Sequence, residues 1–262
     1  MNRIADTFAQ LRRDGRRGFV PFITAGDPDL ATTRALICEL ARAGATVVEL
    51  GVPFSDPMAD GPVIQRASER ALHHGIGVAD VLAVVADARR ETDVPIVLFS
   101  YYNPLLQFGH ERLCAEAQRA GVDGLLVTDL APEEAEGFAE VLKRHALDLI
   151  FLVAPTSTDA RLALVAARAR GFIYAVSRAG VTGARDAVSA EAERLVARVR
   201  LVSDLPIAVG FGISTRAQVV QVWRYADAAV VGSALVAEIE RAADAADLVP
   251  RIGAFARALL PS

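Results

Sequence analysis

Apolar and polar positions along the chain fall into a repeating pattern. Short apolar runs occur at 19–24, 46–50, 96–100, 124–128, 149–153, 172–176, 206–210 and 228–231. They are rich in Val, Ile, Leu and Phe and show little alternation, which is how strands buried on both faces read. Between them lie stretches with helical periodicity at 29–43, 78–91, 109–120, 133–145, 159–170, 190–202 and 215–225. Helix-start residues mark several of these: Asp29, Thr158 or Asp159, and Ser214 or Thr215. Eight strand–helix units predict a (β/α)8 TIM barrel spanning 1–262 as one domain. An open doubly wound sheet is the second choice, but it usually has fewer strands and a glycine-rich fingerprint after the first strand, absent here. Two segments exceed the repeat. The amphipathic stretch 1–13 predicts an extra N-terminal helix, and 53–77 predicts a long loop after the second strand.

Composition narrows the function classes. A chain of 262 residues with 53% hydrophobic residues has ample material for a core. A net charge of −4 argues against nucleic acid as a main partner, because a phosphate backbone selects basic surfaces. No apolar run approaches the roughly 20 residues that span a bilayer, and the charged first fifteen residues hold no secretion signal. Cys38 and Cys114 stand in separate helical stretches, too few and too far apart for a disulfide framework or metal cluster, and are expected as partly buried thiols. These features lead us to expect a cytoplasmic protein without membrane or nucleic-acid partners and without a metal.

In a barrel of this kind chemistry collects at the C-terminal ends of the strands. Near the end of the second strand stands Glu49, set among Val and Leu. A carboxylate there must face the barrel mouth, pair with a cation, or bear a large desolvation cost. Unpaired burial raises its pKa toward the range of a general acid/base, and a buried arginine pair is an equally weighted alternative. Asp56 and Asp60 follow in the loop. Either alone reads as a solvated loop residue, but the loop is long enough to fold Asp60 back over the strand end. Two carboxylates across a cleft can move protons at two ends of one substrate.

Glycine-rich turns follow the last three strands: Ser177 to Gly183, Gly210 to Ser214, and Gly232-Ser233-Ala234. The first suggests a mobile lid. Gly212, Gly232 and Ser233 suit a phosphate held after strands 7 and 8 at the start of a short extra helix, with Gly183 closing on it. Phe22, Tyr101, Tyr102, Tyr174 and Phe211 lie at or near strand ends and suit a flat aromatic substrate. His73, His74, His110 and His145 lie away from strand ends and read as surface or capping residues.

The segment Glu49-Leu50-Gly51-Val52-Pro53-Phe54-Ser55-Asp56-Pro57-Met58-Ala59-Asp60-Gly61 resembles the signature of the tryptophan synthase α chain family. The resemblance extends through Phe22 to Pro28, Tyr102-Asn103-Pro104 and the three glycine turns, in order along nearly the whole chain. Ala131 departs from it, standing where many members carry proline. The resemblance implies retro-aldol cleavage of indole-3-glycerol phosphate to indole and glyceraldehyde 3-phosphate. It implies Glu49 as the group that takes the glycerol hydroxyl proton and helps protonate indole C3, and Asp60 as the acceptor of the indole N–H. It implies phosphate contacts at Gly183, Gly212, Gly232 and Ser233, and an indole pocket at Phe22, Tyr101, Thr128, Tyr174 and Phe211. Thr182 maps to the lid threonine that bonds Asp60 on closure. No cofactor is implied on this subunit. The implied partner is a pyridoxal-phosphate β subunit in an α2β2 complex, which receives the indole and meets the α chain near residues 53–60 and 102–104. Two alternatives stand beside this reading: another phosphate-binding barrel isomerase or lyase, and a catalytically weak activator of a β partner.

Overall fold

The computed structural model describes residues 3–176, 190–210 and 212–261. Eight parallel strands close into a barrel in sequential order. They are β1 (Gly18–Thr24), β2 (Val48–Gly51), β3 (Ile96–Ser100), β4 (Gly124–Val127), β5 (Asp148–Val153), β6 (Ile173–Val176), β7 (Ile207–Gly210) and β8 (Ala228–Val231). The ring shuts where Val20 of β1 pairs with Val230 of β8. The expected barrel is therefore present, with a separate helix at its N-terminus.

That helix, α1 (Arg3–Arg13), buries Ile4 and Phe8, and it stoppers the barrel from below. Phe8 meets Phe172, which stands just before β6, with ring centroids 5.8 Å apart. Arg3 reaches Asp123 at 2.9 Å, just before β4. The other oxygen of Asp123 accepts from the Arg89 guanidinium at 2.7 Å and from the Ile96 N–H at 2.8 Å. A buried carboxylate with this many donors is fully paired, so this end is built for stability. Above it the interior fills with inward side chains from successive strands, among them Val20, Val97, Leu126, Ile150, Phe172 and Tyr174. The alternate residues, such as Ile23, Leu50, Leu98 and Val209, face the helices.

Outside the barrel run α2 (Leu30–Arg42), α4 (Val78–Ala88), α6 (His110–Ala120), α7 (Glu136–Arg144), α8 (Asp159–Arg168), α9 (Ala190–Arg200), α10 (Arg216–Val222) and α12 (Leu248–Leu259). Asp29, Thr158 and Thr215 are the N-caps of α2, α8 and α10, each accepting a backbone N–H. The expected helix over 133–145 starts later, because residues 132–135 form a turn.

Three helices lie outside the stretches read from the sequence, α12 among them. The long loop expected over 53–77 is a ten-residue connection followed by α3 (Pro62–His73). Pro62 occupies its first turn, where a missing N–H costs nothing, and Val63, Ile64, Ala67 and Ala71 give it an apolar stripe. Tyr102-Asn103-Pro104 is not an isolated turn but the start of α5 (Tyr102–Phe108). The glycine turn after β8 opens α11 (Ser233–Arg241), the short extra helix expected there, which precedes α12. Cys38 and Cys114 are fully rather than partly buried.

Candidate active site at the barrel mouth

Parallel pairing sets Phe22, Glu49 and Val97 side by side in register on three neighbouring strands. Because Phe22 and Val97 point inward, so does Glu49, one layer below the mouth. Glu49 is 1% exposed. Its Oε1 is buried with no hydrogen-bond partner among the described residues. Desolvation alone pushes its pKa up to about 8, which sets aside the arginine-paired alternative among the described residues. The carboxyl is therefore protonated at neutral pH and able to donate.

Asp60 reaches the same mouth from the loop between β2 and α3. The Val52 N–H bonds the Phe99 carbonyl at 2.9 Å, and the Asp60 N–H bonds the Pro57 carbonyl at 3.0 Å. The Ala59 N–H donates to the Tyr101 hydroxyl at 2.9 Å. The same hydroxyl stands beside the Asp60 side chain. Burial pushes Asp60 up to about 6, and the neighbouring Tyr101 hydroxyl opposes part of that rise. Asp56, by contrast, is exposed and holds only the neighbouring Ser55 hydroxyl, at 2.6 Å. Folding back over the strand end therefore selects Asp60 from the two loop aspartates.

Apolar rings surround the two carboxyls. Phe22 packs edge-on against Phe99 at 5.2 Å, and Phe54 tilts against Tyr101 at 5.1 Å. Tyr174 is buried in the interior, where burial and then the charge of Glu49 raise its phenol well above the ordinary range. A β-carbon on Gly210 would overlap the Tyr174 hydroxyl, so only glycine fits beside it. Thr128 stands half-buried at the end of β4, donating weakly to the Ser100 carbonyl at 3.3 Å. Phe54 and Phe99 were not singled out from sequence. Phe99 could have been, since Val97, Phe99 and Tyr101 share one face of β3 and its extension. The same alternation corrects Tyr102, which faces outward against Phe138 and His110.

The glycine turns after β7 and β8 lie on the other side of β1 from Glu49. Gly212 has φ +78°, a left-handed conformation that glycine adopts without strain, and nothing among the described residues crowds it. Gly232 is the N-cap of α11 and carries no side-chain cap, so the first N–H groups of that helix, from Ser233 onward, lack intrahelical partners. Together with the helix dipole, these groups attract an anion. Thr182, Gly183 and Phe211, and the whole turn from Ser177 to Gly183, lie outside the described residues.

The histidines divide. His74 and His145 are the C-caps of α3 and α7, as expected of capping residues. His110 is half-buried: its ring packs 4.5 Å from Phe138, and its Nε2 is buried without a partner among the described residues.

The family model for the tryptophan synthase alpha chain matches residues 8–258. The tryptophan synthase alpha chain of Geobacter sulfurreducens is 54% identical over 259 residues, covering 99% of this chain and 98% of the relative. That of Chloroflexus aurantiacus is 48% identical over 261 residues, covering 99% and 98%. A crystal structure of tryptophan synthase subunit alpha from Legionella pneumophila superposes with a TM-score of 0.91 at 39% identity, covering 99% of this chain and 97% of that one. A tryptophan synthase structure from M. tuberculosis, in an aminoacrylate-bound form, gives a TM-score of 0.88 at 37% identity over 99% and 98%.

Proposed function

This chain belongs to the tryptophan synthase alpha chain family, and on that premise we propose that Glu49 and Asp60 divide the proton transfers of its reaction. That reaction is the lysis of indole-3-glycerol phosphate to indole and glyceraldehyde 3-phosphate, the α-subunit half of tryptophan synthesis. Breaking the bond between indole C3 and the glycerol carbon needs an electron sink. Protonation at C3 supplies one by converting the indole to an iminium-like tautomer. The reading draws on no cofactor of this subunit, because the protonated ring is the sink.

The pKa order sets the starting states. Between about 6 and 8, Glu49 is protonated and Asp60 is ionised. Glu49 donates its proton to indole C3, and the positive charge that develops at the ring nitrogen is held by Asp60 through the N–H. The Glu49 carboxylate, now charged in an apolar wall, takes the glycerol hydroxyl proton. The carbonyl forms, the C3 bond breaks, and its electrons return to the ring. Glu49 ends as it began, and no net proton is consumed. The observation that carries this assignment is an unpaired, inward-facing glutamate near the end of β2, together with a loop, bearing Asp60, that Tyr101 ties over the strand ends.

Phe22, Tyr101, Thr128 and Tyr174 form the described part of the indole pocket, completed by Phe211 and, across Asp60, by Thr182. The phosphate sits on Gly212, Gly232 and Ser233, closed by Gly183. The family implies a β-subunit partner. We assign it α2β2 stoichiometry, pyridoxal phosphate on β, and a docking face at the groove beside residues 53–60. That groove encloses about 710 Å³ between Phe54, Met58, Leu72 and His73. Met58 at 86% exposure and Leu106 of α5 at 48% add apolar surface on the same side. The indole passes directly to β for condensation with serine. No single described helix is long and apolar enough to cross a membrane, and we place the complex in the cytoplasm.

The test is indole release from indole-3-glycerol phosphate, with and without β subunit, by the wild type and Glu49→Gln. The assignment expects release by the wild type and loss of at least about a thousandfold in the variant. Full turnover by a folded Glu49→Gln would overturn it.

A further inference from the structure

Two helices border the mouth from opposite ends of the substrate. α3 begins two residues after Asp60, and α11 begins at Ser233 of the anion-binding turn. They pack on each other over Phe22 through Ala67 and Val236. That contact is of small and aliphatic side chains, with no polar group to fix its register. A polar clamp fixes it. The guanidinium of Arg70, on α3, takes both carboxylate oxygens of Asp27 at 2.8 and 2.9 Å. Its remaining nitrogen donates to Glu240, on α11, at 2.7 Å. Arg66, one turn earlier on α3, closes a second fork on Glu240 at 2.8 and 2.7 Å.

Asp27, in the turn after β1, is 2% exposed. The barrel rim, the helix that follows Asp60 and the helix that presents the phosphate turn thus meet at one side chain. Two arginines balance two carboxylates, and the paired forks restrict angle as well as distance. From this we infer that Arg70 is a positioning residue, which sets the separation between Asp60 and the start of α11 so that one substrate spans both. The inference rests on the proposed reading of those two ends.

Arg70 touches neither the indole nor the phosphate in this reading, so its loss acts through geometry. A misplacement near 1 Å at a reacting centre costs about a hundredfold in rate. A residue that merely supports folding lowers the active fraction, which reduces kcat and leaves KM where it was. A residue that sets the span alters both.

The experiment measures kcat and KM for indole-3-glycerol phosphate, and competitive inhibition by inorganic phosphate, in the complex with β. The variants are Arg70→Gln, Arg70→Lys, Glu240→Gln and the double Arg70→Gln/Glu240→Gln. We expect Arg70→Gln to lower kcat/KM by about tenfold to a hundredfold, through higher KM as well as lower kcat. Lysine recovers part of it, since one ammonium cannot fork both carboxylates. The Glu240→Gln loss shrinks in the Arg70→Gln background, because both act on one span. If Arg70→Gln fails to fold, Arg70→Lys and Glu240→Gln decide the same question. Unchanged KM and phosphate inhibition in every folded variant, with only melting temperature reduced, would overturn the inference while leaving wild-type lysis and the Glu49→Gln result intact.

Discussion

The phenol of Tyr101 accepts the Ala59 N–H at 2.9 Å and stands beside the Asp60 side chain. One hydroxyl thus ties the loop backbone to the end of β3 and bears on the loop's carboxylate. It favours the ionised carboxylate against the burial that disfavours it. Removing the hydroxyl in Tyr101→Phe raises the Asp60 pKa above about 6. The acidic limb of the kcat/KM profile then moves to higher pH, and kcat/KM at pH 7 falls about tenfold. An acidic limb that stays in place in this variant would refute the role given to Tyr101.

The wild-type profile itself is expected to be bell-shaped. Activity needs Asp60 ionised, so it declines as pH falls through about 6, and it needs Glu49 protonated, so it declines as pH rises through about 8. Rates from pH 5 to 9.5 check this. A profile that keeps rising beyond pH 9 would mean that Glu49 enters the reaction already ionised.

Glu49 also ties stability to pH. Its folded pKa lies near 8, above its ordinary value of 4.5. Between those values the native chain holds a proton that the unfolded chain has released, so stability falls as pH rises across that window and the loss levels off above it. Glu49→Gln removes the dependence. The variant gains on the wild type by about 2–4 kcal/mol between pH 5 and 8.5, read as the difference in urea midpoints. A difference that does not change with pH would exclude a buried protonated glutamate.

Gly210 leaves no room for a side chain beside the Tyr174 hydroxyl. Gly210→Ala forces that ring off its position in the barrel interior, at a cost of about 1–3 kcal/mol for overpacking, and it lowers turnover as well. Combining it with Tyr174→Leu, which withdraws the ring, restores most of the lost melting temperature. Thermal unfolding of the two single variants and the double one reads the coupling directly. Equal losses in Gly210→Ala with and without the tyrosine would show that the strain lies elsewhere.

Most of the barrel was legible because strands buried on both faces produce apolar runs that flanking glycine and helix-cap residues delimit. Seven of the outer helices were readable for the same reason, since each needs one apolar stripe and a polar face. α3 escaped because Pro62 and its preceding glycine read as loop punctuation, although proline suits a helix's first turn. α5 escaped behind Pro104 in the same way. Glu49 was visible as a charge in an apolar strand, but nothing along the chain could decide between a catalytic acid and a buried ion pair.

The sequence by itself determined the periodicities, and hence the eightfold repeat, the extra N-terminal helix and the small set of polar residues at strand ends. It also determined the family, through one dense signature after the second strand. Tertiary structure decided which of those residues meet. It turned Glu49 inward without a partner among the described residues, chose Asp60 over Asp56, sent Tyr101 into the mouth and Tyr102 out of it, and joined Asp27, Arg70 and Glu240 from three distant segments. The reason is that periodicity is local, set by the backbone's own repeat, whereas desolvation and ion pairing depend on neighbours that only chain closure brings together.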